Sequence, residues 1–475
     1  MTGRPNIILI VFDTARASAF EPWGAPPGST PTITQMASRG TAVNQAVSTC
    51  NWTLPSHAAM FTGSLPRAVG LSDVPGGDTA RVRPLLEANK QRLLPEVLRR
   101  AGYRTSAASA NAWVGKAHGF DTGFDEFLDI RSKRDTGIGK HDLKTKVRWV
   151  YEALRAQVDD GADASLTAAQ GWLEGQQTQP FFWFFNLIEC HSPYLPPRPW
   201  NDLGAVDRVR AAREARRHLT LDAIWKATAC REEIPADALG RMRHLYERAV
   251  TLMDAWVGRL LTLLDQKGVL DDTWVIVTSD HGENLGECGL LGHAFSLDHR
   301  LLHVPLVVAG PDTVDIAPFF STLSLPALIG EMAGLAANPW TRQRSGRDDI
   351  AIAQYDAIVA ADDPRLDTIT ELWNLDTAGR EIFMHPMTAA TDGHRKLVRH
   401  GSTFRGYDLD GDPGEASPVA IADPAESSMR DLYAAILEAD STDLDPAIIA
   451  AVTDQAAGAE VDEGLAEQMR LLGYL

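Results

Sequence analysis

The sequence predicts an α/β protein in which helices cover both faces of a mostly parallel central sheet. Segment 6–13 is a continuous apolar run that ends in a carboxylate, as expected for a strand buried on both faces. Similar runs recur at 103–108, 181–188, 274–280 and 304–309, and helical patterns lie between them. Strands that alternate with helices in this way favour a parallel sheet.

The helices are predicted from apolar residues that recur at helical spacing. The clearest helix runs from about Met242 to Lys267 and stops at Gly268. Its apolar face consists of Leu245, Ala249, Leu252, Trp256, Leu260 and Leu264. Segments 140–178 and 204–248 are also predicted to be helical. The second is polar and is interpreted as a helical insertion near the mouth of the site.

A smaller subdomain is predicted at the C-terminal end, because the alternating pattern weakens after Gly330. Segment 360–367 is typical of a turn or linker. Segments 396–399 and 404–408 are predicted to be short antiparallel strands. We therefore predict a catalytic α/β domain at 1–350 and a C-terminal α+β subdomain with a short antiparallel sheet at 351–475.

Composition and charge limit the class of protein and its partners. The 475 residues are 44% hydrophobic and 23% charged, which excludes a mostly disordered, collagen-like or coiled-coil chain. There are 45 Lys and Arg against 63 Asp and Glu, a net charge of −18. Such a surface disfavours nucleic acid and anionic membranes but not a small anionic substrate. The oligomeric state stays open, a homo-oligomer included.

Cysteine spacing and hydropathy predict a cytoplasmic protein. The cysteines Cys50, Cys190, Cys230 and Cys288 stand far apart, without the spacing of a zinc site or a disulfide framework. The N-terminal apolar run is too short for a signal peptide, and the apolar run at 181–188 is far shorter than a membrane span.

Polar residues follow three of the predicted strands. Asp13 ends the first strand, Asp280 and His281 end another, and His191 follows the Phe-rich strand. Ligand sites of open α/β sheets lie outside the carboxyl ends of the strands. Each residue alone could be a helix cap or a turn residue. Two Asp and one His together predict a site for one divalent metal ion, with Mn, Zn, Mg and Ca all compatible.

A polar segment at 51–63 is predicted to hold the beginning of a helix. Pro55 is a natural first-turn residue, and 58–61 is compatible with a helix. Thr53 would then lie just ahead of an electropositive helix N-terminus that binds anions. The alternative is that Thr53 or Ser56 only caps the helix.

Taken together, these segments resemble the sulfatase branch of the alkaline phosphatase superfamily. Residues 53–57 fall in the frame Cys/Ser-x-Pro-x-Arg, and Thr62-Gly63 follows at the expected distance. Segments 13–16 and 279–283 are similar to the two metal motifs, and 191–194 to a substrate-binding His-x-Pro-Tyr segment. Further matches are Leu291-Gly292-His293, Val304-Pro305-Leu306, Tyr407-Asp408-Leu409, Asp412-Pro413-Gly414-Glu415 and Leu472-Gly473-Tyr474.

The resemblance implies a role for each matched residue in the cleavage of a small anionic ester. The metal would be held by Asp13, Thr53, Asp280 and His281, and would lower the pKa of the Thr53 hydroxyl, the implied nucleophile. The residues implied to hydrogen-bond the transferring group or protonate the leaving oxygen are His57, His191 and His293. Substrate binding is implied for Asn111, which would donate to substrate oxygens, and for Arg16, which would mainly orient the site.

Several departures from the family pattern bear on the substrate. Thr53 replaces the Cys or Ser that sulfatases oxidise to formylglycine, His281 replaces Asn, and Thr14 replaces a second Asp. His57 and His293 replace Arg and Lys. Because Thr lacks the second hydroxyl that expels sulfate from a formylglycine hydrate, the sequence favours phosphate mono- or diesters over sulfate esters.

Four alternatives remain after this reading. The protein could be a true sulfuric ester hydrolase, a phosphoryl-group transferase or an inactive binding homologue. A two-metal site is the fourth. Its extra ligands would come from His118, His299, His303, Asp254 and Asp298, none of which stands in a convincing motif.

Overall fold

The computed structural model describes residues 4–72, 81–130, 143–175, 179–340 and 350–442. The motif at 472–474 lies outside them. The helices are α1 (Pro31–Arg39), α2 (Thr53–Thr62), α3 (Val82–Ala88), α4 (Leu94–Arg100), α5 (Leu143–Arg155), α6 (Ala162–Glu174), α7 (Ala205–His218), α8 (Leu221–Ala229), α9 (Ala236–Gln266), α10 (His299–Leu302), α11 (Leu325–Met332), α12 (Pro364–Trp373), α13 (Thr377–Met384) and α14 (Arg430–Asp440).

The strands form one large sheet and three smaller ones. They are β1 (Asn6–Phe12), β2 (Thr41–Ala42), β3 (Gln45–Val47), β4 (Arg104–Ser109), β5 (Glu126–Asp129), β6 (Phe181–Leu187), β7 (Thr273–Ser279), β8 (Asn284–Leu285), β9 (Leu291–Gly292), β10 (His303–Val304), β11 (Leu306–Ala309), β12 (Phe319–Ser321), β13 (Ala351–Tyr355), β14 (Met387–Thr391), β15 (Arg395–His400), β16 (Thr403–Asp408) and β17 (Val419–Ala420).

The central sheet has seven strands in the order β2-β11-β7-β1-β6-β4-β5. Strands β7, β1, β6, β4 and β5 pair in parallel. Every residue of β6 and β7 is buried, as the continuous apolar runs predict. This arrangement confirms the predicted fold class.

The prediction of one strand at 304–309 is wrong, because Pro305 divides the segment between two sheets. Val304 belongs to β10, which pairs with β3 in a three-stranded sheet. Strand β11 joins the central sheet antiparallel to β7. Proline has no N–H to donate to a ladder, and the Pro305 carbonyl instead accepts a 2.8 Å hydrogen bond from Thr278 Oγ1.

Helix α9 begins at Ala236, six residues before the predicted start at Met242. Its first turns carry polar side chains that no apolar periodicity marks, and Arg241 there pairs with Glu214 of α7 and with Asp237. The predicted stop is confirmed: Gly268 follows the helix with a φ of 67°, a conformation that glycine adopts without strain.

The predicted helical insertion at 204–248 consists of α7, α8 and the first part of α9. Helix α8 packs on the short hairpin of β8 and β9. A Cβ added at Gly292 would lie 3.1 Å from Ile224 of α8. The insertion therefore covers the segment that carries His293.

The C-terminal part contains a five-stranded antiparallel sheet in the order β13-β14-β15-β16-β17. The two predicted strands at 396–399 and 404–408 are confirmed as the cores of β15 and β16. The predicted linker at 360–367 is wrong in its second half, because α12 begins at Pro364. The Asp363 carboxylate accepts the Arg365 N–H at 2.9 Å, so Asp363 caps this helix and Pro364 is its first residue.

A membrane-spanning helix needs a long apolar segment. None of the helices in the described ranges is both long enough and apolar enough to cross a bilayer.

Candidate active site

The site residues meet because their strands are neighbours. Strands β7, β1, β6 and β4 are consecutive in the sheet. Asp280, Asp13, His191 and Asn111 follow the carboxyl ends of these four strands in the same order. The local sequence marks each strand end, but only the strand order places the four side chains side by side.

Asp13, Asp280 and His281 form a buried cluster whose ligand atoms lie within 4.8 Å of one another. It is the one group with metal-ligand spacing in the described part of the chain. Oδ2 of Asp280 is buried without a hydrogen-bond partner. Among the described residues, neither Asp13 nor Asp280 forms an ion pair with an Arg or Lys side chain. Two uncompensated carboxylates beside an imidazole suit a divalent cation.

The electrostatics of the cluster suit a bound cation. Burial raises the pKa of Asp13, and burial together with the Asp13 charge raises the pKa of Asp280 well above its usual value. Burial also holds the pKa of His281 well below its usual value, so this ring is neutral and able to ligate.

Backbone groups fix the orientation of Asp280 and His281. Oδ1 of Asp280 accepts the backbone N–H groups of Thr14 at 3.1 Å and of His281 at 2.9 Å. Nδ1 of His281 lies 3.0 Å from the Gly282 carbonyl, which leaves Nε2 for the cluster. Such second contacts orient metal ligands.

Thr53 is the first residue of α2 and faces the cluster. Its Oγ1 lies 3.4 and 3.5 Å from the two Asp13 carboxylate oxygens and 3.4 Å from His281 Nε2. The N-cap position belongs to Trp52, and no side chain caps the helix. The alternative in which Thr53 or Ser56 is only a helix cap is therefore wrong.

Asn111 contacts the cluster on the side where Thr53 lies. Its Nδ2 donates to Asp13 Oδ2 at 2.6 Å and approaches Thr53 Oγ1 at 3.4 Å. Its Oδ1 accepts the Trp113 backbone N–H at 2.8 Å, which fixes the amide orientation. The sequence predicted that Asn111 donates to substrate oxygens; in the structure its donor group is directed at Asp13 and Thr53.

His57 lies beneath Thr53, on the inner side of α2. Nδ1 is 2.9 Å from the Thr53 carbonyl, and Nε2 is 3.2 Å from Nδ2 of Asn186. The ring is fully buried against Phe120 and Phe184, and burial lowers its pKa to about 4. This position does not support the predicted role of His57 in contact with the transferring group.

His191 and His293 lie close together beside the candidate metal ligands. The His293 ring centroid is 4.6 Å from that of His281 and 5.3 Å from that of His191. Nδ1 of His191 is 2.9 Å from the Ser192 carbonyl. Burial alone would lower the pKa of His293, but the Glu283 carboxylate raises it above its usual value.

Arg16 stands beside the site rather than in it. Its guanidinium pairs with Glu287 at 3.0 Å and lies over the Tyr246 ring at 5.6 Å. Tyr246 in turn donates to the Thr14 carbonyl at 2.8 Å. The Thr14 hydroxyl donates to the Cys190 carbonyl at 2.7 Å, so it is engaged away from the carboxylates.

Sequence reasoning missed the roles of Asn51, Asn186 and Glu283. Asn51 donates to the His293 and Ser296 carbonyls at 2.8 and 3.0 Å and so links the Thr53 segment to the His293 segment. Asn186 is the one polar residue of β6, a signal that the sequence did contain. Glu283 stands in the segment that resembles the second metal motif, but that resemblance implies no function for it.

Two of the residues considered for a second metal have structural partners. The Asp254 carboxylate accepts the backbone N–H groups of Thr32 at 3.1 Å and Ile33 at 2.8 Å, and so caps α1. Nδ1 of His118 lies 3.0 Å from the Ala112 carbonyl, and its ring stacks on Trp113.

Comparisons with known proteins agree with this geometry. A family model described as Sulfatase matches residues 5–315. Choline-sulfatase of Rhizobium meliloti (strain 1021) is 24% identical over 385 residues, covering 72% of this chain and 70% of that enzyme. N-acetylgalactosamine-6-sulfatase of Rattus norvegicus is 26% identical over 311 residues, and the match spans 59% of this chain and 50% of the rat enzyme.

A solved structure with the same fold is the phosphonate monoester hydrolase SpPMH from Silicibacter pomeroyi. It superposes with a TM-score of 0.63 at 19% identity, and the alignment covers 93% of this chain and 96% of that one. Known proteins with this fold therefore include both sulfatases and an enzyme named for phosphonate monoesters.

Proposed function

Because the chain belongs to the sulfatase family of ester hydrolases, we propose that it is a metal-dependent hydrolase with Thr53 as its nucleophile. The observation that carries this proposal is the position of Thr53 Oγ1, which lies within 3.5 Å of both Asp13 oxygens and of His281 Nε2. The hydroxyl thus faces the same point as the three candidate metal ligands.

The metal site consists of Asp13, Asp280 and His281, with the Thr53 hydroxyl beside them. One divalent cation, Mn, Zn, Mg or Ca, would lower the pKa of a nearby hydroxyl and offset charge on the substrate. The protein itself supplies two further groups that stabilise negative charge on the Thr53 oxygen. The N-terminus of α2 stabilises negative charge at Thr53, and Asn111 donates towards the same oxygen at 3.4 Å.

The reaction divides into two displacements. In the first, the Thr53 hydroxyl loses its proton to solvent, Oγ1 bonds to phosphorus, and the bond from phosphorus to the leaving oxygen breaks. His293 and His191 are the two side chains proposed to deliver the proton that the leaving oxygen needs. In the second, water attacks phosphorus and loses a proton to solvent, the bond to Thr53 breaks as Oγ1 regains a proton, and phosphate, or a phosphate monoester from a diester substrate, is released.

The nature of Thr53 favours phosphoryl esters over sulfate esters. Water can attack the phosphorus of a phosphothreonine directly. A sulfothreonine lacks the second hydroxyl on Cβ that would expel sulfate by elimination. The substrate class that we propose is therefore a small phosphate mono- or diester.

Hydrolysis of sulfate esters is the second candidate function. The observation that favours it is the set of curated relatives, which includes choline-sulfatase and N-acetylgalactosamine-6-sulfatase. At identities of 24% and 26% these relatives do not fix the substrate of this chain.

A matched pair of esters tests the proposal. The purified protein is given 4-nitrophenyl phosphate, bis(4-nitrophenyl) phosphate, a 4-nitrophenyl phosphonate and 4-nitrophenyl sulfate, each with Mn, Zn, Mg and Ca. We expect a higher kcat/KM for the phosphoryl esters than for the sulfate ester. Thr53→Ala should abolish the hydrolysis of the phosphoryl esters. If the sulfate ester is the better substrate and Thr53→Ala abolishes its hydrolysis, the proposed substrate class is wrong, but Thr53 remains the nucleophile.

The remaining alternatives give other outcomes in the same experiment. A phosphoryl-group transferase would release 4-nitrophenol faster when an acceptor alcohol is added, with less free phosphate than phenol. An inactive binding homologue would turn over none of the esters, and Thr53→Ala would then change nothing.

A further inference from the structure

A buried carboxylate that the proposed reaction does not yet use lies next to His293. Glu283 is fully buried, and its Oε1 is 3.0 Å from His293 Nδ1. Its other oxygen, Oε2, is buried without a hydrogen-bond partner. Burial, and after it the Glu283 charge, raises the pKa of the Tyr194 hydroxyl well above its usual value.

The backbone places Glu283 and His293 opposite each other. In the antiparallel hairpin of β8 and β9, Asn284 pairs with Gly292 and Leu285 pairs with Leu291. One step further along the same register brings residue 283 beside residue 293. Residues opposite each other in antiparallel strands have their side chains on the same face, so the contact follows from the register as well as from the distance.

The contact decides which ring nitrogen of His293 is available. An imidazole Nδ1 beside a carboxylate donates its proton to that carboxylate. Nε2 is then the nitrogen left for a reacting group, whether the ring carries one proton or two. A carboxylate that fixes a histidine in this way raises the efficiency of the histidine without touching substrate.

We propose that Glu283 is a positioning residue, which binds Nδ1–H of His293 and thereby presents Nε2 of that ring to the leaving oxygen of the ester. The inference rests on the proposed function, because it assigns the leaving-group proton to His293. The inference goes beyond the proposed function because it names the residue that orients His293 for proton transfer.

The test is the dependence of kcat/KM on the leaving group. Phenyl and 4-nitrophenyl esters of the class that the wild type hydrolyses are compared, because phenoxide needs protonation far more than 4-nitrophenoxide. We expect Glu283→Ala to lose about 10–100-fold on the phenyl ester and much less on the 4-nitrophenyl ester. Glu283→Gln keeps an acceptor oxygen and should recover part of that loss.

Two controls separate positioning from general structural damage. Asp254→Asn also alters a buried carboxylate, but one that caps α1, so both esters should change by the same factor. His293→Gln should show the same selective loss as Glu283→Ala. The double variant should lose little more than either single one, since a residue that acts through another is not additive with it.

A second readout does not depend on activity. In protein with ¹⁵N-labelled histidine, the Nδ1–H signal that His293→Gln removes should be shifted in Glu283→Gln and lost or exchange-broadened in Glu283→Ala. Parallel loss on both esters, or an unchanged Nδ1–H signal in both Glu283 variants, would overturn the inference. A wild type that hydrolyses none of the esters would refute the proposed function instead, and the Nδ1–H signal would still decide how His293 is held.

Discussion

Asn111 donates a 2.6 Å hydrogen bond to Asp13, although the two residues follow different strands and are separated by 98 positions in the chain. The Trp113 backbone N–H occupies the amide oxygen of Asn111, so the Nδ2 group cannot turn away. This contact fixes the carboxylate on one side of Thr53 and leaves a donor 3.4 Å from the Thr53 hydroxyl.

The first prediction follows from that contact. Asn111→Leu keeps the approximate volume but removes the donor to Asp13 and Thr53. We expect kcat to fall about 100-fold, the usual cost of a donor at a developing negative charge, with a smaller change in KM. Asn89→Leu is the matched control, because Asn89 is also buried but donates to the Leu85 carbonyl within its own helix. Wild-type kcat in Asn111→Leu would contradict this role.

The second prediction concerns the metal and the stability of the metal-free protein. Burial and the Asp13 charge raise the pKa of Asp280, so ionised Asp280 destabilises the fold when no cation is bound. Asp280→Asn should therefore raise the Tm of the metal-free protein at neutral pH. It should also abolish metal binding, the Tm increase caused by added metal, and nearly all activity.

Metal content and differential scanning fluorimetry measure this pair of effects. Asp254→Asn is the control, since it alters a buried carboxylate outside the cluster and should keep the Tm increase on adding metal. If Asp280→Asn kept stoichiometric metal, or lowered the Tm of the metal-free protein, the assignment of the cluster would be wrong.

The third prediction is a pH dependence of stability at His118. Burial lowers the pKa of this histidine to about 4, below its value of about 6.5 in an unfolded chain. Between these two values the unfolded state binds more protons than the folded state, so the contribution of His118 to stability is present above pH 6.5 and is lost as the pH falls towards 4.

Equilibrium unfolding in urea at several pH values measures this contribution. His118→Gln removes the titrating group, so the difference in unfolding free energy between wild type and variant should shrink, or change sign in favour of the variant, as the pH falls through this window. A difference that is constant with pH would show that His118 is not buried as a neutral ring.

The sequence predicted the strand ends because long apolar runs mark buried strands and end where the chain leaves the core. Asp13 and Asp280 could be found in this way. Side-chain direction could not: His57 is enclosed by Phe184 of β6, a residue 127 positions away. The residues on both sides of Pro305 in the predicted strand are apolar, and this hid its division between two sheets, although a proline inside such a run argues against one continuous strand.

The pairing of Glu283 with His293 could be predicted from the sequence only in part. Both residues stood in segments matched to the family, but neither segment indicates a hairpin register by itself. The register becomes visible only when β8 and β9 are paired. The predicted cytoplasmic location and the predicted lack of nucleic-acid and membrane partners stay predictions.

The last prediction concerns the chemical state of residue 53. Thr53 should be unmodified, because its Cβ carries a methyl group and oxidation there would give a ketone rather than an aldehyde. Trypsin releases it in the peptide 40–67, whose mass should equal that of the encoded sequence. A peptide lighter by two hydrogen atoms at residue 53 would contradict the argument for a hydroxyl nucleophile.

The functional side of that prediction uses two substitutions of similar size. Thr53→Ser keeps the hydroxyl and should keep measurable activity. Thr53→Val keeps the shape, and the metal ligands Asp13, Asp280 and His281 stay in place. The valine variant should bind metal with a wild-type Tm increase but lose about 10³-fold or more in kcat, as expected when a nucleophile is removed. Because metal binding and turnover are measured on the same sample, a valine variant that still hydrolyses the ester would show that the attacking oxygen comes from water and not from Thr53.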